Sequence, residues 1–318
     1  MEAASSSSSR WTLEDLTTLS IDPTLTPAQA QEIQQAIAKE VQIPPSDEDE
    51  QSWPFDEEGR TSLRIAAMDI SYPVDPSATY TAASLVLVQI PWPLGLGPSL
   101  PSSTPVPITH LKTLTIRNPP PSFPYIPGLL AFRELSPLLS LLSQLDESEK
   151  PDLLLCDGQG IAHPARCGLA SHLGVLMGLP SIGSAKNWFI GRTLDDEHTD
   201  QDEEEGGRKK QHPKFLKLPT TRGSRIPLYL SPKDNEAEEP ISNVLRSQTG
   251  INPIFVSPGH RISLHQATEV VLALCSQYRL PDPIRMADHS SREALRVWAA
   301  EEAKGKVGQA QVTPKQEP

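Results

Sequence analysis

The stretch PDLLLCDGQGIAHPARCGLASHLGVLMGLPSIGSAK, residues 151–186, decides the fold. Its apolar run LLLC, bounded by Pro and Gly, has the length and pattern of a strand buried on both faces. Helical spacing follows over 162–178 and ends at Gly178, and PSIGSA (180–185) is a second short strand. A strand, a helix and a strand within so few residues predict a parallel pair. Asp157 then falls at the C-terminal edge of the first strand, where ligands of open α/β sheets collect.

Working outward, FRELSPLLSLLSQL (132–145) is helical in rhythm, and RIAAMDISYPV (64–74), TAASLVLVQI (81–90) and KTLTIRN (112–118) are β-rich runs separated by Pro and Asp turns. Three neighbouring antiparallel strands are expected from them. TPAQAQEIQQAIAKEVQ (26–42) is a helix behind a Thr26-Pro27 start, and RIPLYL, NVLRS and PIFVS are short strands before a helix over 263–278. The expectation is an α/β domain over 26–292, its mixed sheet flanked by helices. Residues 1–25 are expected as a disordered tail, 45–61 as a linker, 193–222 as a low-complexity insertion and 293–318 as a largely disordered extension. Removing 1–20 and 303–318 is expected to leave the melting temperature unchanged, since periodic apolar residues were not found there.

The 318 residues carry a net charge of −12, which taken globally argues against a phosphate-rich partner. The distribution reverses that reading. Residues 1–63 are net −10 and 193–214 net −4, so the rest of the chain is net +2. Cys156, Cys167 and Cys275 are widely spaced and odd in number, as in a reduced, intracellular protein of the cytoplasm or nucleus. MEAASSSSSR lacks a basic start followed by an apolar run, and no stretch of membrane-spanning length is apolar, so no membrane partner is expected.

Four residues could carry chemistry. Asp69 is an acid inside an apolar strand, although a strand end meeting solvent reads equally well. Asp157 also reads as an Asp-Gly turn, Glu134 as an acid favouring the positive end of a helix, and His260, in VSPGHRISL, as a structural turn residue. Their case is joint. If the Asp69 and Asp157 strands are neighbours and Glu134 opens the next helix, three carboxylates converge, and a hard divalent cation relieves their repulsion. That arrangement points to metal-assisted phosphodiester chemistry. The Gly-x-Gly of DGQGIAH has His163 where a dinucleotide loop needs its third glycine. Walker, zinc-pair and GxSxG patterns are absent.

PYIPGLLAFRE (124–134), DGQGIAHPARCGLASHLGVLMGLPSIGSAK (157–186) and VSPGHRISL (256–264) resemble the signature segments of the endonuclease V family, and AMDISY (67–72) resembles its first acidic strand. The resemblance spans about residues 64–290. It implies a ribonuclease-H-like fold with Mg²⁺, or Mn²⁺ in its place, held by Asp69, Glu134 and Asp157. His260 matches a further active-site residue and Lys186 a charge-balancing lysine. Tyr125 matches a wedge that fills the space of an extracted base, Arg133 and His163 match phosphate contacts, and Gly128 and Gly183 match places where main chain closes round that base. The implied reaction cuts the second phosphodiester 3′ to inosine, leaving 3′-hydroxyl and 5′-phosphate ends. Gln159 and the 193–222 insertion depart from bacterial members and suggest a eukaryotic one, a monomer acting on inosine in single-stranded RNA; the alternatives are a deoxyinosine DNA repair endonuclease and a catalytically silent inosine-binding protein.

Overall fold

The computed structural model describes residues 11–45, 53–55, 58–75, 78–93, 105–193, 218–230 and 239–310, with backbone alone for 304–310. Its centre is an eight-stranded sheet of β1 (Ser62–Ser71), β2 (Thr81–Pro91), β3 (Thr109–Asn118), β4 (Leu153–Cys156), β5 (Ser181–Ala185), β6 (Arg225–Tyr229), β7 (Pro240–Leu245) and β8 (Ile254–His260). Spatial order is β3-β2-β1-β4-β5-β8-β7-β6. β1, β4 and β5 run parallel to one another and every other pairing is antiparallel. The expected mixed sheet, with its three leading antiparallel strands, is therefore present.

Period-two alternation sorts the central strands between two layers. Ala66, Met68, Leu154 and Cys156 face one side, with α1 (Leu13–Ser20), α2 (Pro27–Glu40), α3 (Ala131–Leu142) and α4 (Leu169–Met177). Leu63, Ile65, Ala67, Leu153 and Leu155 face the other, with α5 (Leu264–Ala273) and α6 (Asp282–Ala310). Both faces are covered, which is why β1, β2 and β4 read as near-continuous apolar runs. Cys156 and Cys167 lie in the first layer, Cys275 lies in the second, and all three are buried free thiols.

Three boundary expectations need correction. Helix α1 occupies part of the presumed tail: Thr12 and Asp15 form a capping box, Leu16 is buried against the first layer, and Ser20 Oγ lies 2.9 Å from His172 Nε2 on α4. An eight-residue helix gives too little periodicity to detect, and packing stabilises it. Residues 293–310 continue α6; Trp298 stacks edge-on against Tyr80, and the Arg117 guanidinium lies 3.9 Å from the Tyr80 ring centre. Within the presumed linker, Trp53 and Phe55 pack edge-on against Trp92. Residues 1–10, 194–217 and 311–318, on which the remaining tail and insertion expectations fall, lie outside the described residues.

Deletion of residues 1–20 is now expected to lower the melting temperature by several degrees. It removes buried Leu16 and leaves the buried His172 ring without its hydroxyl partner, a loss of roughly 2–5 kcal/mol. Calorimetry of full-length and truncated chains checks this; equal melting temperatures would restore the tail reading.

Acid should also weaken the fold. Burial holds His172 near 3, and holds His163 and His260 at about 4, all below the ordinary imidazole value of 6.5. Folded imidazoles then stay neutral while unfolded ones take up protons. For these imidazoles the sign is fixed: their contribution to stability is complete above pH 6.5 and falls as pH drops toward the folded values. At pH 5 the cost is on the order of 2 kcal/mol per imidazole, readable as a lower urea midpoint than at pH 7.

Candidate active site

The parallel register of β1 with β4, pairing Met68 with Cys156, brings Asp69 and Asp157 to the same edge as the next residue of each strand. Glu134 arrives from the first turn of α3, and Lys186 directly follows β5. All four line one groove of about 1380 Å³, bounded on its far side by α6. Lys186 Nζ donates to Asp157 Oδ2 at 2.7 Å. Tyr72 Oη donates to Glu134 Oε1 at 3.4 Å.

The electrostatics are those of crowded acids. Burial, followed by the charges of Asp69 and Asp157, pushes the Glu134 carboxyl up to about 8. Burial raises Asp69 as well, the Ser291 hydroxyl opposes that, and Asp157 and Asp288 push upward again. Burial alone would lower Lys186, but its bond to Asp157 and the nearby acids hold it above the usual lysine value. One ammonium does not neutralise this group, and hard oxygen donors under mutual repulsion suit a divalent cation. Among the described residues, no three His, Cys, Asp or Glu side chains are gathered tightly enough to hold an ion as they stand. The donor chemistry fits such an ion.

Asp288 was missed by the sequence reading. It lies on α6, lines the groove with the other acids, and accepts from Arg292 Nε at 2.9 Å. Its signal was faint: an acid, a serine and an arginine at i, i+3 and i+4 also describe a solvated helix face.

His260 does not join the group. It is the last residue of antiparallel β8 and pairs with Ser181 at the start of β5, whereas Gly183, further along β5, pairs with Cys156 beside Asp157. The expected active-site histidine thus sits at the opposite end of the sheet, buried, with Nδ1 accepting from the Gln42 amide at 3.2 Å. Strand direction, invisible in VSPGHRISL, decides this.

A second cavity of about 300 Å³ opens beside the groove and shares Asp157, Leu169 and Lys186 with it. Gly128, Gln159 and His163 line it, with Trp188 and Phe189, which the sequence reading also missed although NWF directly follows β5. Tyr125 stands at the rim, 70% exposed. Gly128 has φ +87°, a conformation that suits glycine. From α2, Gln34 Nε2 donates to the carbonyls of Gly128 at 2.8 Å and Cys167 at 2.9 Å, joining the two loops of the wall. Gln159 Nε2 donates to the Asn187 carbonyl at 3.3 Å.

Three more of the expected contact residues have defined places in the structure. His163 is buried, accepts at Nδ1 from the Ala165 amide and bonds to the Gly128 backbone, and burial lowers it to about 4, so it stands in the wall as a neutral ring at pH 7. Arg133 donates from Nη1 to the Phe123 carbonyl at 2.6 Å, with its guanidinium 6.0 Å from the Tyr125 ring and 5.5 Å from the Tyr72 ring, and so braces the loop that carries Tyr125. Gly183 does not line the cavity. A Cβ there would lie 2.5 Å from Gly160 N and 2.6 Å from the Gly158 carbonyl, so its bare backbone lets the 158–160 loop rest on β5.

The sequence profile of the Endonuclease V family matches residues 106–289. Endonuclease V of Azotobacter vinelandii is 44% identical over 176 residues, 55% of this chain and 66% of the relative. The chain thus spans just under two thirds of that relative's length. Endonuclease V of Xanthomonas campestris pv. campestris is 36% identical over 261 residues, covering 82% of this chain and 86% of the relative. A crystal structure of Ciona intestinalis Endonuclease V, in complex with a 24mer DNA containing an inosine followed by a ribo-adenosine, is similar with a TM-score of 0.63 at 27% identity, covering 85% of this chain and 97% of that one. No described helix is long and apolar enough to cross a membrane.

Proposed function

Because this chain belongs to the endonuclease V family, we propose that it is a divalent-cation-dependent nuclease that holds inosine in the smaller cavity. It cuts the same strand at the second phosphodiester 3′ to the inosine, leaving 3′-hydroxyl and 5′-phosphate ends. One observation carries the reading: an open cavity of about 300 Å³ shares Asp157 and Lys186 with the carboxylate groove, so a base seated there places its strand across the acids. Its volume is at the small end for ligand pockets and suits one nucleobase. The inosine-containing DNA in the Ciona relative supports the choice of base.

Asp69, Glu134 and Asp157 would hold Mg²⁺ or Mn²⁺, with Asp288 beside them. When bound, the cation supplies Lewis-acid activation of water and of the phosphoryl oxygens. Lys186 orients Asp157 and balances charge at the cut phosphate. Neutral His163 and the main chain at Gly128 and 158–160 form a preorganised wall, and main-chain groups suit hypoxanthine, which presents O6 as acceptor and N1–H as donor. Trp188 and Phe189 provide aromatic walls. The preferred substrate is inosine in single-stranded RNA, whose 2′-hydroxyls offer contacts that DNA lacks.

Labelled inosine RNA and DNA of one sequence, incubated with Mg²⁺ and with chelator, test this. Cleavage of RNA that chelator abolishes is expected. Cleavage of DNA alone would favour deoxyinosine repair, and binding without cleavage would overturn the hydrolase reading.

Tyr125→Ala should slow single-turnover cleavage of duplex substrate more than that of flexible single strand. A ring left in the place of a stacked base recovers roughly 1–3 kcal/mol of the extraction cost. An equal loss on both substrates with a lower melting temperature would make Tyr125 a packing residue instead.

A further inference from the structure

One turn of α6 reaches β1 through a chain of hydroxyls. Ser291 Oγ lies 2.8 Å from Asp69 Oδ2, 2.8 Å from Ser71 Oγ and 3.0 Å from the Asp288 carbonyl, and Ser291 is fully buried. A hydroxyl has a single proton to donate. The carboxylate is the charged acceptor among them, so Ser291 donates to Asp69. Ser71, at the end of β1, then donates to Ser291, since Asp69 Oδ2 is 3.5 Å away from it. The direction is set as Ser71 to Ser291 to Asp69.

We propose that Ser291 is a positioning residue for Asp69: the hydroxyl relay from Ser71 occupies Oδ2 and leaves Oδ1 as the oxygen offered to the divalent cation. No hydrogen bond is made by Oδ1 among the described residues. The inference rests on the metal-dependent reading above and adds a residue to it. It also explains why α6 belongs to the site. Asp288 and Ser291, three residues apart on one helical face, deliver an acid to the groove and a hydroxyl to the acid already there. Supporting hydrogen bonds of this kind fix a ligating carboxylate in orientation, and their loss commonly weakens metal binding roughly 10–100-fold.

The test measures Mn²⁺ binding to the full chain by calorimetry without nucleic acid, alongside single-turnover cleavage against metal concentration. Ser291→Ala is expected to raise the Mn²⁺ dissociation constant roughly tenfold, to shift the metal dependence of cleavage by the same factor, and to leave the rate at saturating metal largely intact. Ser290→Ala is the control, because among the described residues Ser290 Oγ bonds only to the Met286 carbonyl; it should bind Mn²⁺ as the parent does. An unchanged Mn²⁺ isotherm in Ser291→Ala, or an equal loss in Ser290→Ala, overturns the proposal. Where Ser291→Ala fails to fold, half-buried Ser71→Ala carries the test with a roughly twofold to threefold weakening, and no change there overturns it. A parent chain that binds no Mn²⁺ overturns both readings, whereas one that binds Mn²⁺ but cuts no inosine substrate loses the proposed function and leaves the role of Ser291 to be decided by the isotherm.

Discussion

Asp157→Asn is expected to abolish cleavage in any single-turnover assay at pH 7 while leaving the melting temperature within a few degrees of the parent. The substitution keeps the size and shape of the side chain and removes its charge at the point shared by the smaller cavity and the acid groove. Loss of a supporting partner already costs roughly 10–100-fold in such sites, so loss of a direct oxygen ligand should exceed that range by a wide margin. Lys186 then loses its ion pair, and its ammonium remains near Asp69 and Asp288. Fold stability is insulated because Asp157 is only half-buried and sits past the end of β4, outside the hydrogen-bonded ladder. Asp69→Asn should behave alike. Near-normal turnover of Asp157→Asn in Mg²⁺ would remove that residue from the chemistry.

Gly183→Ala should lower stability and activity together. Gly183 is held in the centre of the sheet between Cys156 and Ser257. Its added Cβ would meet only backbone: Gly160 N at 2.5 Å, the Gly158 carbonyl at 2.6 Å and Gln159 C at 2.7 Å. Real contacts are never so short, and no flexible side chain is present to yield. Either β5 moves out of its ladders or the 158–160 loop lifts from the sheet; overpacking of this kind costs roughly 1–3 kcal/mol. The loop carries Gly158 and Gln159 into the cavity wall, so activity should fall further than the global stability loss explains. Thermal melts beside single-turnover rates check this; a stable, fully active Gly183→Ala would show that the loop tolerates displacement.

These two residues also illustrate what was legible in the chain. Asp157 could be placed because a short apolar run flanked by Pro and Gly must be a buried strand, and the acid at its end must face the sheet edge. Asp69 and Glu134 followed once three acids had to share a location. Gly183 matched a place where main chain closes round a base, while its close backbone packing against the 158–160 loop depends on a loop path that no local pattern encodes. His260 was misplaced because the antiparallel direction of β8 is a long-range choice. Asp288 and Ser291 were passed over because a polar helix with paired charges reads the same whether its acids face solvent or a groove. Helix α1 is stable through its contacts with α2, α3 and α4 rather than its own eight residues, so its sequence alone understates it.

The division of the core into two layers gives the molecule a pair of built-in reporters. Cys156 and Cys167 are buried in the layer that holds α1–α4, and Cys275, between α5 and α6, is buried in the other. Burial pushes Cys156 and Cys275 up to about 12, and raises Cys167 as well, so all three remain protonated and poorly nucleophilic at neutral pH. An alkylating reagent therefore reaches a thiol only after its covering helices part. The order in which the three cysteines are labelled records which half of the molecule breathes first, with no engineered probe and without reference to catalysis.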